Sequence, residues 1–168
     1  MAAKKYISQN AGFMTEVQAT DSSAGAGNEG DLVALDASGK IALNMMPTGV
    51  GADLKNMTAN GAISARDFVY VEAAGTIAVA DNGSVGTRSV GIVQAAILDA
   101  AAGDVYFEGI VSGFTGLTPG ANYYLGTGGT VVLAGGLPTA TGEIVQKVGV
   151  ALSATELSIE IGQAIVLA

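Results

Sequence analysis

The chain of 168 residues contains no histidine, no cysteine and no tryptophan. Without imidazole or thiol, the commonest general bases, nucleophiles and transition-metal ligands are missing. Disulfides cannot contribute, so burial and association must supply all the stability. Basic residues are also few, 7 against 15 acidic ones for a net charge of −8. Gripping a phosphate backbone needs clustered Lys and Arg. The only basic pair is Lys4-Lys5, so a nucleic-acid partner is not expected. No window reaches the roughly 18 uninterrupted apolar residues of a membrane helix. Gln94 and Asp99 interrupt the most apolar stretch, residues 90–102. No apolar run follows Lys4-Lys5 as a targeting segment requires. The expectation is a soluble protein made in a cytosol, without a membrane partner.

What the chain does have is small apolar residues and glycine. The hydrophobic fraction is 49%, mostly Ala, Val, Ile and Leu, aromatics are 5%, and there are 25 glycines. Such side chains build thin, closely packed layers. The length fits one compact domain plus an arm.

Three regions follow along the chain. Residues 1–30 read as an N-terminal arm, whose only large apolar side chains are Tyr6, Ile7, Phe13, Met14 and Val17. Residues 20–30 are turn formers with nothing to bury. Tyr6, Phe13 and Met14 are the natural anchors if this arm orders against a partner. Residues 31–51 read as a β-hairpin and hinge: Leu32–Leu35 and Ile41–Leu43 flank Asp36-Ala37-Ser38-Gly39-Lys40, and Pro47 among glycines follows. Residues 52–168 read as a β-domain, an antiparallel sandwich or barrel. Its predicted strands are 68–71, 76–79, 90–93, 105–107, 123–125, 130–133, 144–150, 157–161 and 164–167. Asn82-Gly83, Pro119-Gly120 and Gly128-Gly129 supply turns. Residues 94–102 and the stretch around Lys55 have helical alternatives; strand and loop are the reading for 94–102. A weak internal repeat runs through this region. Val69-Tyr70-Val71 and Gly75-Thr76-Ile77 recur, 54 residues later in both cases, as Tyr123-Tyr124-Leu125 and Gly129-Thr130-Val131. Val90-Gly91-Ile92 echoes Val148-Gly149-Val150. Two copies of one β-motif packed face to face would account for this.

Motifs that would carry chemistry are weak. Gly25-Ala26-Gly27-Asn28-Glu29-Gly30 has the spacing of a dinucleotide loop, but it follows a polar linker and leads into a predicted strand. The acids are scattered singly, without the aromatic-lined cleft that a two-carboxylate glycosidase needs. Asp81-Asn82-Gly83-Ser84 and the pair Asp99 and Asp104 carry hard oxygen donors. Neither has the ligand spacing of an EF-hand, and Asp-Asn-Gly is better read as a tight hairpin turn. No Ser-x-x-Lys pair occurs. The expectation is a protein without enzymatic activity, cofactor, metal or small-molecule substrate.

Asp36-Ala37-Ser38-Gly39-Lys40-Ile41 leading to Met45-Met46-Pro47-Thr48-Gly49-Val50-Gly51 resembles an element of tailed-bacteriophage virion proteins. Gly116-Leu117-Thr118-Pro119-Gly120-Ala121-Asn122-Tyr123-Tyr124-Leu125 and residues 105–109 and 144–157 are similar to the same group. The chain departs from the pattern at Ala42-Leu43, where a polar pair is usual. The resemblance covers most of the chain from Asp31 onward. It implies a homotrimeric head decoration (cement) protein that binds the major capsid protein on the outer surface of the virion. Its site of synthesis would be the host bacterial cytoplasm. A head-fibre or tail-fibre module is the alternative, with Tyr123-Tyr124 as an exposed patch. The expected capsid or inter-subunit contacts are Tyr6, Phe13, Met14, Met45, Met46 and Pro47. Ile165, Val166 and Leu167 join them, because an uncharged apolar tail must pair in a sheet or at a subunit contact.

Overall fold

The computed structural model describes residues 4–23, 25–37, 39–42, 45–46 and 53–168. The chain divides into two units, Met1–Val50 and Gly51–Ala168. The fold is mainly β, with fourteen strands among the described residues. In the first unit are β1 (Lys5–Asn10) and β2 (Phe13–Gln18). In the second are β3 (Leu54–Thr58), β4 (Phe68–Val71), β5 (Ile77–Val79), β6 (Gly91–Val93), β7 (Ala102–Tyr106) and β8 (Gly109–Ser112). After them come β9 (Asn122–Leu125), β10 (Val131–Val132), β11 (Ile144–Val145), β12 (Lys147–Ala151), β13 (Glu156–Ile159) and β14 (Ile165–Val166). No helix among the described residues is long and apolar enough to cross a membrane.

The hairpin of the first unit is not where the sequence pattern puts it. β1 and β2 pair antiparallel from Lys5↔Gln18 to Asn10↔Phe13, closed by Ala11 (φ 50) and Gly12 (φ 86). A two-residue turn with both φ values positive matches the twist of the strands it joins, and glycine takes that φ without a steric penalty. Leu32–Leu35, expected as a strand, contributes only a parallel bridge from Val33 to Thr20. The turn at 36–40 does form, with Asp36 N donating to Lys40 O and Gly39 N to Asp36 O. No ladder extends from it among the described residues. Adjacent Leu32 and Val33 are both exposed, so this segment lacks the alternation that buries one face of a strand. Its backbone hydrogen bonds go to Thr20 instead: Thr20 N donates to Leu32 O and Ala34 N to Thr20 O. Residues 43–44 and 47–52, the remainder of the expected hairpin and hinge, lie outside the described residues.

The second unit holds two five-stranded antiparallel sheets and one two-stranded sheet, β11-β14. One large sheet has the order β3-β7-β6-β4-β5, the other β8-β13-β12-β9-β10. Taken in chain order, these are the same topology twice. The registers agree as well. Val71 pairs with Ile77 as Leu125 pairs with Val131, and Val69 pairs with Gly91 as Tyr123 pairs with Gly149. Loops repeat too. Ala59 N donates to Ala101 O as Gly113 N does to Thr155 O, and Glu72 N to Thr76 O as Gly126 N does to Thr130 O.

Two apolar clusters hold this unit together. One joins Phe68, Ala80 and Ile92 of the first sheet to Val111, Leu125, Val148, Leu157 and their neighbours on the second. The other backs the first sheet with Ile63 and Ile97 from its loops, packed with Val69, Ile77, Val93 and Val105. The first sheet is thus buried on both faces along β4 and β6, which is why those two strands read as near-continuous apolar runs. It also curls, since Ala59, just after β3, bridges to Ile77 at the far end of the strand order.

Residues 94–101 form loop, while the stretch around Lys55 is strand β3. Asn82-Gly83 is not a tight hairpin turn. β5 forms its ladder with β4, and a longer connection with a 3-10 turn at Val85–Thr87 leads to β6. Asp81 explains the difference: its carboxylate accepts from Gly83 N at 2.7 Å and Gly128 N at 2.8 Å, tying the connection to the second repeat.

Candidate functional site

The expected contact residues fall into two groups, one in each unit. In the first unit Tyr6 and Val17 are cross-strand partners and half-buried, and Phe13 lies on their face of the hairpin. Met14 is on the opposite face, with Ile7 beside it across the ladder. Phe13 is 75% exposed, Met14 73% and Ile7 67%. Large apolar side chains therefore project from both sides of a two-stranded ribbon.

A polar cluster braces the base of this hairpin. Thr20 Oγ1 donates to Asp31 Oδ2 at 2.7 Å and Asn28 Nδ2 to the same oxygen at 2.9 Å. Those bonds, Asn28 first, hold the Asp31 carboxyl below its ordinary value. Lys4 Nζ donates to Leu35 O at 2.9 Å, adding a second tie to the segment 31–35. Met45 is half-buried beside Thr20, Asn28, Asp31 and Val33, and Met46 is exposed. Pro47 lies outside the described residues. The glycine-rich run at 25–30 forms a 3-10 turn, Gly25–Asn28, followed by a further turn at 29–30. That is not the strand–loop–helix arrangement a dinucleotide requires.

In the second unit the apolar tail is paired in a sheet: Ile165 with Val145 and Val166 with Ile144. Leu167 is half-buried and closes the ladder, its N donating to Glu143 O and its O accepting from Gly142 N. Ile165 and Val166 remain exposed, at 65% and 51%. Leu98, at 77%, and Ile110, at 60%, are exposed apolar residues that the sequence did not single out. Leu98 follows the buried Ile97 in a loop without periodicity, and Ile110 sits on the edge strand β8, so no local pattern marks either.

The segment 117–125 is structural. Leu117 is buried, and Pro119-Gly120 makes a turn in which Ala121 N donates to Thr118 O. Gly120 has φ 79, as the third residue of such a turn requires. Tyr123 is buried and its hydroxyl accepts from Thr118 N at 2.9 Å. Tyr123 therefore does not form the exposed patch expected of a fibre tip, and only half-buried Tyr124 remains for it.

Three further carboxylates are engaged in hydrogen bonds with neighbouring side chains or backbone. Asp99 accepts from Gly61 N, Asp104 from Asn56, and Glu72 from Thr76, Asn60 and Tyr70. Thr76 and then Asn60 contribute most to holding Glu72 below its ordinary value. Of two open grooves on the second unit, one is lined by Arg88, Ser89, Gln146 and Gln163, the other by Asn56, Gln94, Asp104 and Tyr106. Neither pairs two carboxylates or sets a cation beside one. Among the described residues, no three Asp or Glu side chains converge. No protein-family model matches the chain, and none of the curated proteins compared with it is similar.

Proposed function

We propose that this chain is a non-enzymatic structural protein of a tailed-phage particle, a homotrimeric decoration protein bound to the outer capsid surface. The first unit is the anchor and the second is the displayed body. One observation carries this reading: the β1–β2 ribbon leaves Phe13 and Met14 uncovered on opposite faces. A two-stranded hairpin alone is marginally stable in water, and exposed apolar side chains on both faces call for partner surface on both. A groove or seam in a shell of capsid subunits supplies that.

The sequence resemblance at 36–51, 105–109, 116–125 and 144–157 supports the assignment to phage virions. Ile165 and Val166 of β14 also stay exposed, leaving apolar side chains on the body. The fibre reading loses support because Tyr123 is used inside the core.

Electron micrographs of virus particles with and without the protein test the placement. Extra density over the shell, lost in the deletion, is the expected result. Density confined to the tail or to projecting fibres overturns the decoration reading.

A further inference from the structure

The two repeats of the second unit meet at a junction, and each has a surface corresponding to one that the junction covers on the other. In the second repeat Leu125, Val148 and Ile159 are buried and share a cluster with Phe68 and Ile92 of the first. Gly129 N donates to Ala80 O at 2.7 Å. A Cβ on Gly129 would lie 2.9 Å from both Asp67 Cβ and Val79 Cγ1, so the first repeat sits directly against it. By strand register Leu125, Val148 and Gly129 match Val71, Val90 and Gly75 of the first repeat. There Val71 is 42% exposed, Val90 is half-buried, and Gly75 has nothing within 4 Å of its Cβ position. Conversely, Phe68 and Ile92 correspond to Asn122, which is exposed, and Val150, which is half-buried.

We infer that a second copy of this chain docks the Asn122–Val150 face of its second repeat onto the Val71–Gly75 end of the first. The contact reproduces between chains the junction that joins the repeats within one. It is heterologous, and a heterologous contact closes into a ring when its rotation allows. Three chains would then form a ring of six repeats, so this inference rests on the trimer reading and says which surfaces build it. Asn122 stands where the internal junction has Phe68. The intermolecular contact is therefore the weaker one and is reversible by dilution.

Sedimentation velocity of the full chain over a concentration series tests this with four variants. Val71→Lys places a charge in the contact and weakens association at least about tenfold. Asn122→Phe restores the aromatic of the internal junction and tightens it roughly tenfold. Leu98→Lys, on an exposed loop, leaves it unchanged. Melting curves like that of the unchanged chain establish that each variant is folded. A self-associating chain in which Val71→Lys and Asn122→Phe change nothing overturns the inference and leaves the trimer reading standing. Association lost on Phe13→Ser/Met14→Ser but kept in Val71→Lys assigns the contact to the hairpin and likewise overturns it. A single copy at every concentration contradicts both the ring and a trimer formed in solution, and shell binding is then the measure of the decoration role.

Discussion

Gln146 and Ser89 exchange two hydrogen bonds across the junction of the repeats, Ser89 N to Gln146 Oε1 at 2.8 Å and Gln146 Nε2 to Ser89 O at 2.9 Å. Gln146 Nε2 also donates to Gly162 O at 3.0 Å, so one buried side chain fastens three segments. Gln146→Leu keeps the volume and strands those backbone groups. It should lower unfolding stability by about 3 kcal/mol, since each unsatisfied buried group costs about 1–3 kcal/mol. Urea unfolding measures it; a loss under about 0.5 kcal/mol would mean that water replaces the amide.

Arg66 occupies the turn position in the first repeat that Gly120 occupies in the second, with φ 70 against 79. Both donate their N–H to the strand that follows in the sheet, Arg66 to Val93 O and Gly120 to Ala151 O. A side chain is strained in that region of backbone space, so Arg66→Gly should be neutral or stabilising by about 0.5 kcal/mol. Thermal melting checks the sign. A clear loss would show that the guanidinium, which lies beside Gly113, contributes more than the backbone strain removes.

Glu72 is held below its ordinary value by hydrogen bonds from Thr76 and Asn60. A depressed carboxyl stabilises the fold above its unfolded pKa, and that stabilisation disappears as pH falls through the folded value. The window therefore opens near the ordinary glutamate value of about 4.3 and extends to lower pH. Denaturation midpoints from neutral to acid pH should fall less steeply for Glu72→Gln than for the unchanged chain. Equal slopes would remove Glu72 from the account.

The body of the second unit was legible because its strands are buried on one or both faces. Phe68–Val71, Gly91–Val93 and Asn122–Leu125 all stand out as apolar runs between turn formers. The repeat was visible in Gly75 and Gly129, which recur because the same strand connection recurs. β1–β2 and β3 were not legible. Ser8, Gln9, Thr15, Lys55 and Asn56 are polar, and strands that bury little face need no apolar alternation. Asn82-Gly83 carries a hairpin sequence, but Asp81 spends its carboxylate on Gly83 and Gly128 and the chain turns elsewhere. Phe13 and Met14 could be picked out as large apolar residues in a polar stretch. Their placement on opposite faces follows from their being consecutive in a strand, and that 13–18 is a strand is what only the fold supplies.

The hairpin anchors are tested most directly by co-sedimentation of purified chain with shells of the same virus lacking it. Phe13→Ser/Met14→Ser removes apolar surface from both faces of the ribbon and touches nothing in the second unit's core. The account predicts saturable pelleting of the unchanged chain and at least a roughly thirtyfold weaker affinity for the double variant, two buried anchors being worth more than about 1 kcal/mol each. Equal pelleting of the two proteins, or none by either, would contradict it.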